Sequence, residues 1–312
     1  MGVGLDVHVH VDRVQRVDVH GVTEPSRSLV IHLSGVVTSG AMSHRTAASR
    51  VLDVLGAFGP DHRALSLSEI GRRAGLSLST THRLVGELSA WGGLERGEDG
   101  RFSIGLRLLE LSALAPRGLG LREIAFPHLD DLHRATSGNV HLGVLDGHEV
   151  VYVEALRSRR SAPVSSRVGD RWPLHATGTG TVLLAHADPA DVDEVLARPL
   201  GRYTTRTQVD PCLLRVRLAQ VRRDGVAILR GELTDGALAV AVPVHDRHGG
   251  VAAALSLVVH DDGSGPGELP ALLTAVAARI RRALEAAGHG RPTGPVVGNT
   301  PVRPVERPLR VG

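Results

Sequence analysis

A stretch rich in glycine and threonine, residues 173–181, contains groups that could bind an anion. It stands directly before a predicted helix, and the free amides at the start of a helix attract phosphates and carboxylates. It lacks the lysine and the spacing of a P-loop, and no strand precedes it as in a dinucleotide-binding fingerprint. His175 could act as a base, but no nucleophile or orienting partner stands at a recognisable spacing. We therefore predict a binding site with no catalytic residues, and not an enzyme.

A second set of hydrogen-bonding side chains lies near the front of the chain, in the first turns of a predicted helix. Hydroxyl, imidazole and guanidinium groups in that position can contact the phosphates and base edges of DNA. The set consists of Ser77, Ser79, Thr80, His82 and Arg83.

The elements around this set follow a helix-turn-helix pattern. Ser66 and Glu69 fit a capping box that opens a short helix, and Gly75 can end it in a left-handed conformation. Ser77 can then cap a second helix, in which Leu78, Leu84, Val85, Leu88 and Trp91 recur near helical spacing. Two short helices joined by a tight glycine turn are typical of a DNA-binding unit, although any small helical core can show them.

A predicted hairpin favours the DNA-binding interpretation. Two short strand-like runs, 94–96 and 102–104, flank the turn residues 97–100, and Arg101 beside the tip is predicted to contact DNA as well. A hairpin next to a reading helix is the wing of a winged helix-turn-helix. An amphipathic run from 47 to 58 predicts the supporting first helix.

Length and composition restrict the class of protein. The chain has 312 residues, enough for two domains, and it is 42% hydrophobic and 22% charged. No apolar run approaches the ~20 residues of a membrane helix, so we expect a cytoplasmic protein with no membrane contact. The net charge is +3 and arginine supplies all the cations, which permits DNA binding without arguing for it. Cys212 is the only cysteine, which excludes a disulfide framework.

Both ends of the chain differ from the rest. Residues 7–12 alternate apolar and polar side chains, and His8, His10 and His20 could suggest a metal site, but no further ligand spacing supports one. We predict no metal and no cofactor. Residues 1–44 are predicted as a disordered tail, as are residues 288–312, which are rich in proline and glycine.

The second half of the chain predicts an α+β domain. Strands over 140–145 and 149–156 flank the turn dipeptide Asp146-Gly147, and a second hairpin spans 237–259. A further strand is predicted within 163–168, helices near 181–186, 189–197 and 211–223, a strand within 225–232, and a closing helix over 268–287. Antiparallel hairpins flanked by helices indicate a sensor-type domain and not a doubly wound sheet.

The helix between the two halves, 106–115, has a spare apolar face that either packs on a second copy of the chain or is buried in its own domain.

Three segments in this order resemble the IclR family of bacterial transcriptional regulators: LSLSEIGRRAGLSLSTTHRLVGEL, RVGDRWPLHATGTGTVLLA and DGALAVAVPVHDRHGGVAAALSL. The resemblance covers residues 45–287. It implies an N-terminal winged helix-turn-helix, a C-terminal effector-binding domain of GAF-like α/β fold, dimers formed through the N-terminal part, and pairing of dimers into tetramers. It also implies a repressor or activator; we expect a repressor.

The resemblance assigns site residues one by one. The small residues Ala176, Thr177, Gly178 and Thr179 correspond to the family's effector-binding stretch, whose amides would meet a carboxylate. Of the family's acidic run before the late strand only Glu232 fits, and Ala239 stands where many members have a cysteine. This altered lining leaves a larger, an apolar or no effector open. Thr81 stands where the family often has an apolar residue, so we expect slightly weaker packing there.

The sequence thus predicts a winged domain at 45–105, a linker helix at 106–118 and an effector-binding domain at 119–287. The expected partners are double-stranded operator DNA, a small-molecule effector, with a carboxylate as one candidate class, and further copies of the chain in a dimer or a dimer of dimers. Two alternatives remain: a DNA-binding regulator whose second domain only assembles the oligomer, and an enzyme that kept a winged domain.

Overall fold

The computed structural model describes residues 46–59 and 61–288, apart from the side chains of Pro116 and Arg117. The predicted tails at 1–44 and from 289 onwards, and with them His8, His10 and His20, lie outside the described residues.

The N-terminal module is three helices and a small antiparallel sheet of order β1-β3-β2. Leu94 pairs with Ile104 and Leu65 with Phe102, so the predicted hairpin is present and gains a third short strand. The elements are α1 (Ala47–Leu55), β1 (Ala64–Leu65), α2 (Leu67–Ala74), α3 (Leu78–Trp91), β2 (Leu94–Arg96) and β3 (Phe102–Ile104).

The predicted caps of this module are confirmed. Ser66 and Glu69 form the reciprocal capping box of α2, and Gly75 ends that helix at φ 65°. Ser77 caps α3, which ends at Gly92 with φ 81°. Two of the five apolar residues predicted for the buried face of α3 are, however, exposed, because Leu78 lies in its first turn and Trp91 in its last. The core is closed by Val54, Ile70, Leu84, Leu88 and Leu94 together with their buried neighbours.

The C-terminal module is built on one antiparallel sheet of order β6-β5-β4-β9-β8-β7. Helices α5 and α9 cover one face and α6, α7 and α8 cover the other. This arrangement confirms the predicted fold class, a winged helix-turn-helix followed by an α/β domain with a curled antiparallel sheet. The elements are α5 (Leu121–Thr136), β4 (Asn139–Asp146), β5 (Glu149–Leu156), β6 (Arg171–Pro173), α6 (Gly178–Ala185), α7 (Pro189–Ala197), α8 (Pro211–Asp224), β7 (Ala227–Arg230), β8 (Ala237–His245), β9 (Val251–His260) and α9 (Leu269–Ala286).

The prediction of a strand within 163–168 was wrong. Pro163 has no backbone N–H, and the amide of Val164 turns back to the carbonyl of Ala162 at 2.8 Å, so no ladder can run through this segment. The edge of β5 pairs instead with β6, where Val150 lies opposite Trp172.

The connecting helix α4 (Leu106–Ala113) is followed by a π-helical turn, Pro116–Gly120. No residue of α4 is buried, which disfavours the alternative that this helix is buried in its own domain; its packing on a second copy of the chain stays a prediction. Among the described residues, no helix is both long and apolar enough to cross a membrane.

Candidate DNA-reading and effector sites

Helix α3 presents three of the predicted DNA-binding side chains to solvent. Ser79, His82 and Arg83 are exposed on the face opposite the core residues Leu84 and Leu88. Among the described residues, the Arg83 guanidinium donates only to the exposed Glu87 carboxylate one turn on, at 2.6 Å. Such a pair contributes little to stability and can be exchanged for a phosphate or a base edge.

The remaining hydroxyls at the start of α3 serve the fold. The Ser77 hydroxyl accepts from the amide of Thr80 at 3.3 Å and donates to its Oγ1 at 2.9 Å. Thr81 is fully buried, and its Oγ1 donates to the carbonyl of Ser77 at 2.9 Å. A Cβ at Gly71 would lie 2.9 Å from that Oγ1, so glycine is what allows α2 and α3 to approach so closely. The hydroxyl of Thr81 is therefore satisfied at the crossing of the two helices.

Arg101 lies differently from what the sequence suggested. Its Nη1 donates to Glu69 Oε2 at 3.0 Å and to the carbonyl of Ala64 at 3.2 Å, which ties the wing to the start of α2. Hydrogen bonds from Ser66 lower the pKa of Glu69, and the charge of Arg101 adds to that effect. The wing tip carries charges of both signs: Glu98 and Asp99 stand in it, and a Cβ built at Gly100 would lie 3.5 Å from the Arg96 guanidinium.

The predicted effector-binding stretch forms the start of α6 and packs directly on the sheet. Thr177 caps the helix by accepting from the amide of Gly180 at 3.1 Å, which leaves the amides of Gly178 and Thr179 as the first two of the helix, with no acceptor inside it. A Cβ at Gly178 would lie 3.6 Å from the Cβ of Ala239 on β8. The structure therefore brings Gly178 and Thr179 together with Ala239. All four residues of the stretch are buried.

Glu232 belongs to a separate buried network. Its carboxylate binds Arg217 through both oxygens, at 2.8 and 3.0 Å, and accepts from the amide of Gln208 at 3.1 Å. Its own carbonyl accepts from Thr207 at 2.6 Å. This carboxylate therefore braces the wall formed by α8 and the 204–208 loop.

His175 Nε2 lies 2.9 Å from the carbonyl of Gly201. Burial lowers the pKa of His175, although the hydrogen bond to Gly201 and the charge of Glu232 oppose that shift.

Sequence reasoning missed a buried polar cluster on the same face of the sheet as α6. His141 on β4 stacks on Tyr152 of β5 at 4.7 Å between ring centroids, and its Nε2 lies 2.6 Å from Ser166 Oγ. Thr179 Oγ1 donates to the Tyr152 hydroxyl at 3.4 Å. Burial raises the pKa of Tyr152 to about 12. One feature of the sequence does indicate this cluster: His141 stands at an inward position of an otherwise apolar strand.

The cluster predicts a loss of stability in acid. Burial lowers the pKa of His141 to about 4 in the folded chain, below the ~6.5 of the unfolded chain. Between these values the unfolded chain binds more protons, so stability is present above pH ~6.5 and is lost as the pH falls toward 4. We expect His141 to account for about 2–3 kcal/mol of unfolding free energy lost between pH 7 and pH 4.5. Urea unfolding of wild type and His141→Gln at both pH values measures it.

The comparison of the two proteins isolates this residue, because the pKa values of the buried His175 and the half-buried His128 are lowered as well, and both residues remain in both proteins. An equal loss of stability in wild type and His141→Gln would contradict the assignment.

Both modules match family models of known regulators. Residues 47–98 match the IclR helix-turn-helix domain, and residues 114–281 match the model described as bacterial transcriptional regulator IclR, C-terminal. The HTH-type transcriptional regulator XynR of Escherichia coli K12 is 34% identical over 213 residues, which are 68% of this chain and 84% of that protein. The transcriptional repressor IclR of the same organism is 29% identical over 226 residues, 71% of this chain and 82% of that protein.

A solved structure extends the likeness to the whole described fold. An IclR homologue from Microbacterium hydrocarbonoxydans, complexed with 4-hydroxybenzoate, is 37% identical and superposes with a TM-score of 0.74, covering 77% of this chain and all of that one. Together, the two domain matches and these relatives place the chain in the IclR family, as a DNA-binding transcriptional regulator with an effector-binding C-terminal domain.

Proposed function

We propose that a dimer of this chain places the two copies of α3 in successive major grooves of an operator. Ser79, His82 and Arg83 contact bases and phosphates, while Ser77 holds the first turn in shape and Thr80, whose hydroxyl accepts from Ser77, donates its own O–H to a phosphate. The observation that carries this proposal is that these three side chains on the outer face of α3 are exposed, and that Arg83 is held only by an exposed ion pair with Glu87 among the described residues. The N-terminal residues of the second helix are the ones that contact base edges in helix-turn-helix proteins.

For Arg101 we propose a supporting role. Its bonds to Glu69 and Ala64 fix the wing beside the reading helix, so its loss would weaken DNA binding by loosening the wing.

Residues 46–105 contain equal numbers of arginines and acidic residues. We therefore expect hydrogen bonds and shape to contribute more to operator affinity than general attraction to phosphate does.

The dimer interface that we propose is the apolar surface of the linker helix. In the described part of the chain no residue of α4 is buried, and four leucines on this helix or at its C-terminal cap are 44–77% exposed: Leu106, Leu109, Leu111 and Leu114. Apolar side chains in such number on one short helix favour cover by a second copy. A smaller apolar patch on α8, Leu213 and Val216, supports the pairing of dimers. The domain boundaries proposed from the sequence, 45–105, 106–118 and 119–287, place α4 between the two functional modules.

For the effector we propose a small carboxylate that meets the amides of Gly178 and Thr179. Those two amides have no acceptor within α6, and the start of a helix favours an anion. Ala176, Thr177 and Ala239 then form the small-residue lining, and Glu232 holds the adjacent wall. The 4-hydroxybenzoate complex of the Microbacterium relative supports an aromatic monocarboxylate as the class. Because the stretch is closed in this structure, binding would require local opening, which couples the effector to the arrangement of the domains.

We propose repression as the direction of control, with effector binding lowering operator occupancy. The similarity to the E. coli repressor IclR supports it.

Replacing Arg83 tests the reading helix. We expect Arg83→Ala to weaken binding to an operator duplex by about tenfold or more, because a guanidinium contact to a base or phosphate contributes ~1–3 kcal/mol. The circular dichroism and the unfolding temperature of Arg83→Ala should equal those of wild type, because the ion pair of Arg83 in the described structure is with the exposed Glu87. Fluorescence anisotropy on a labelled duplex measures the affinity.

Arg281→Ala is the matched control, because Arg281 forms the same kind of exposed ion pair with Glu285 one turn on, but on α9. It should bind DNA like wild type. Equal affinities for Arg83→Ala and Arg281→Ala would show that α3 does not read the operator.

A further inference from the structure

One line of residues along the outer face of α3 contains no charged group. Leu78, His82 and Gly86 follow one another at four-residue intervals, so they are neighbours along the exposed surface of the helix. Ser79 and Arg83, which the proposed function already assigns to DNA, lie directly beside this line of residues. The inference below rests on that function, because it requires α3 to lie in the major groove.

Of the three leucines of α3, only Leu78 is exposed. It is the first residue of α3, its side chain is 60% exposed, and it takes no part in the core that Leu84, Val85 and Leu88 form. A single exposed leucine is common on protein surfaces and alone would mean nothing. Here it lies in the turn that comes nearest to base edges when a helix-turn-helix docks on DNA.

Gly86 gives a second and independent observation on the same line. Glycine in the middle of an exposed helix is less stable than alanine. A Cβ built at Gly86 meets no atom within 4 Å, and the residue has no positive φ that would require glycine. Packing within the described chain therefore does not explain this glycine. A close approach of another molecule to the helix would explain it.

We propose that Leu78 reads a thymine in each operator half-site through its 5-methyl group, and that Gly86 lets the wall of the major groove approach the middle of α3. Thymine is the only base that offers a methyl group in that groove, so an apolar side chain there selects it. His82, between the two, lies over the same track of bases.

The test uses the full chain and a duplex that wild type itself enriches from a random library. Each thymine is replaced in turn by deoxyuridine, which keeps every hydrogen-bonding group and lacks only the methyl. Wild type should lose about fourfold in affinity at one thymine of each half-site, the equivalent of ~0.8 kcal/mol for one buried methyl group. Leu78→Ala should bind more weakly to the thymine duplex and show no further loss at that position.

Gly86→Ala is the second arm. Because alanine favours a helix and fits here, its unfolding temperature should rise, while its affinity for the same duplex should fall. Opposite changes in stability and affinity distinguish a partner's approach from a defect in folding.

Each of the other outcomes would overturn one part of this proposal. The same deoxyuridine loss in wild type and Leu78→Ala would remove Leu78 from base reading, and wild-type affinity in Gly86→Ala would remove the close approach. If either variant changed the sedimentation of the protein and not its DNA affinity, the line would be a contact between copies of the chain. Failure of wild type to enrich any sequence would instead refute the proposed function itself.

Discussion

Glu232→Ala is expected to lower the unfolding free energy of the C-terminal module by about 3 kcal/mol, because it leaves the Arg217 charge without its partner. The Glu232 side chain is only 7% exposed, and its two oxygens accept from Arg217 and from the amide of Gln208. Arg217 keeps 25% of its side chain in water, so we place the effect at the lower end of the ~3–5 kcal/mol found for buried pairs.

The measurement can be confined to this module. The chain has two tryptophans, Trp91 on α3 and Trp172 on β6. In a Trp91→Phe background, fluorescence during urea unfolding reports on the C-terminal module alone.

Glu232→Gln is the graded comparison, because its amide oxygen still accepts from Gln208 while the negative charge is lost. It should lose about 1–2 kcal/mol. Arg217→Met combined with Glu232→Ala should recover part of the loss, because no charge is then left unpaired. Wild-type stability in Glu232→Ala would contradict the brace that we assign to this carboxylate.

Gly105→Ala is expected to destabilise the winged module by about 3 kcal/mol or more and to abolish operator binding. A Cβ at Gly105 would lie 2.2 Å from the carbonyl oxygen of Gly92, which is backbone and cannot rotate away. The two segments are also joined by hydrogen bonds: the Gly105 amide donates to Gly93 at 2.9 Å, and the Arg107 amide donates to Gly92 at 3.3 Å. Relief of the clash must therefore shift the end of α3 against the start of α4.

Urea unfolding in a Trp172→Phe background reports on this module through Trp91. Gly86→Ala is the matched control, since its added methyl group meets no neighbour in the same module, and it should be at least as stable as wild type. The C-terminal module should unfold as in wild type. A stable winged module in Gly105→Ala would contradict the close approach of Gly105 to the backbone of Gly92.

Local signals in the sequence predicted most elements. Ser66, Glu69, Gly75 and Ser77 act within three or four residues of themselves, and they define the turn between α2 and α3 just as the pattern indicated. The hairpin of β4 and β5 needed only the Asp146-Gly147 turn between two largely apolar strands. Such features depend on neighbours in the chain, which a sequence displays directly.

Features that depend on distant neighbours could not be predicted. The stacking of His141 on Tyr152, and the bond from His141 to Ser166, require the register of three separate segments. The bonds of Arg101 to Glu69 and Ala64 likewise join residues more than thirty positions apart. Helical spacing grouped Leu78 with the core, because periodicity does not show how far the partner surface extends along a helix. The wing and the first turn of α3 were therefore located correctly, while two of their side chains were given the wrong surroundings.

The central claim is that α3 reads a specific operator under the control of a ligand in the C-terminal module. Fluorescence anisotropy tests it most directly, with the full chain on labelled DNA from upstream of its own gene and a scrambled duplex, in moderate salt, with and without 4-hydroxybenzoate. We predict tighter binding to the upstream duplex, loss of that preference in Arg83→Ala, and weaker binding when the carboxylate is added. Equal binding of wild type to both duplexes, unchanged by Arg83→Ala and by the ligand, would contradict the account.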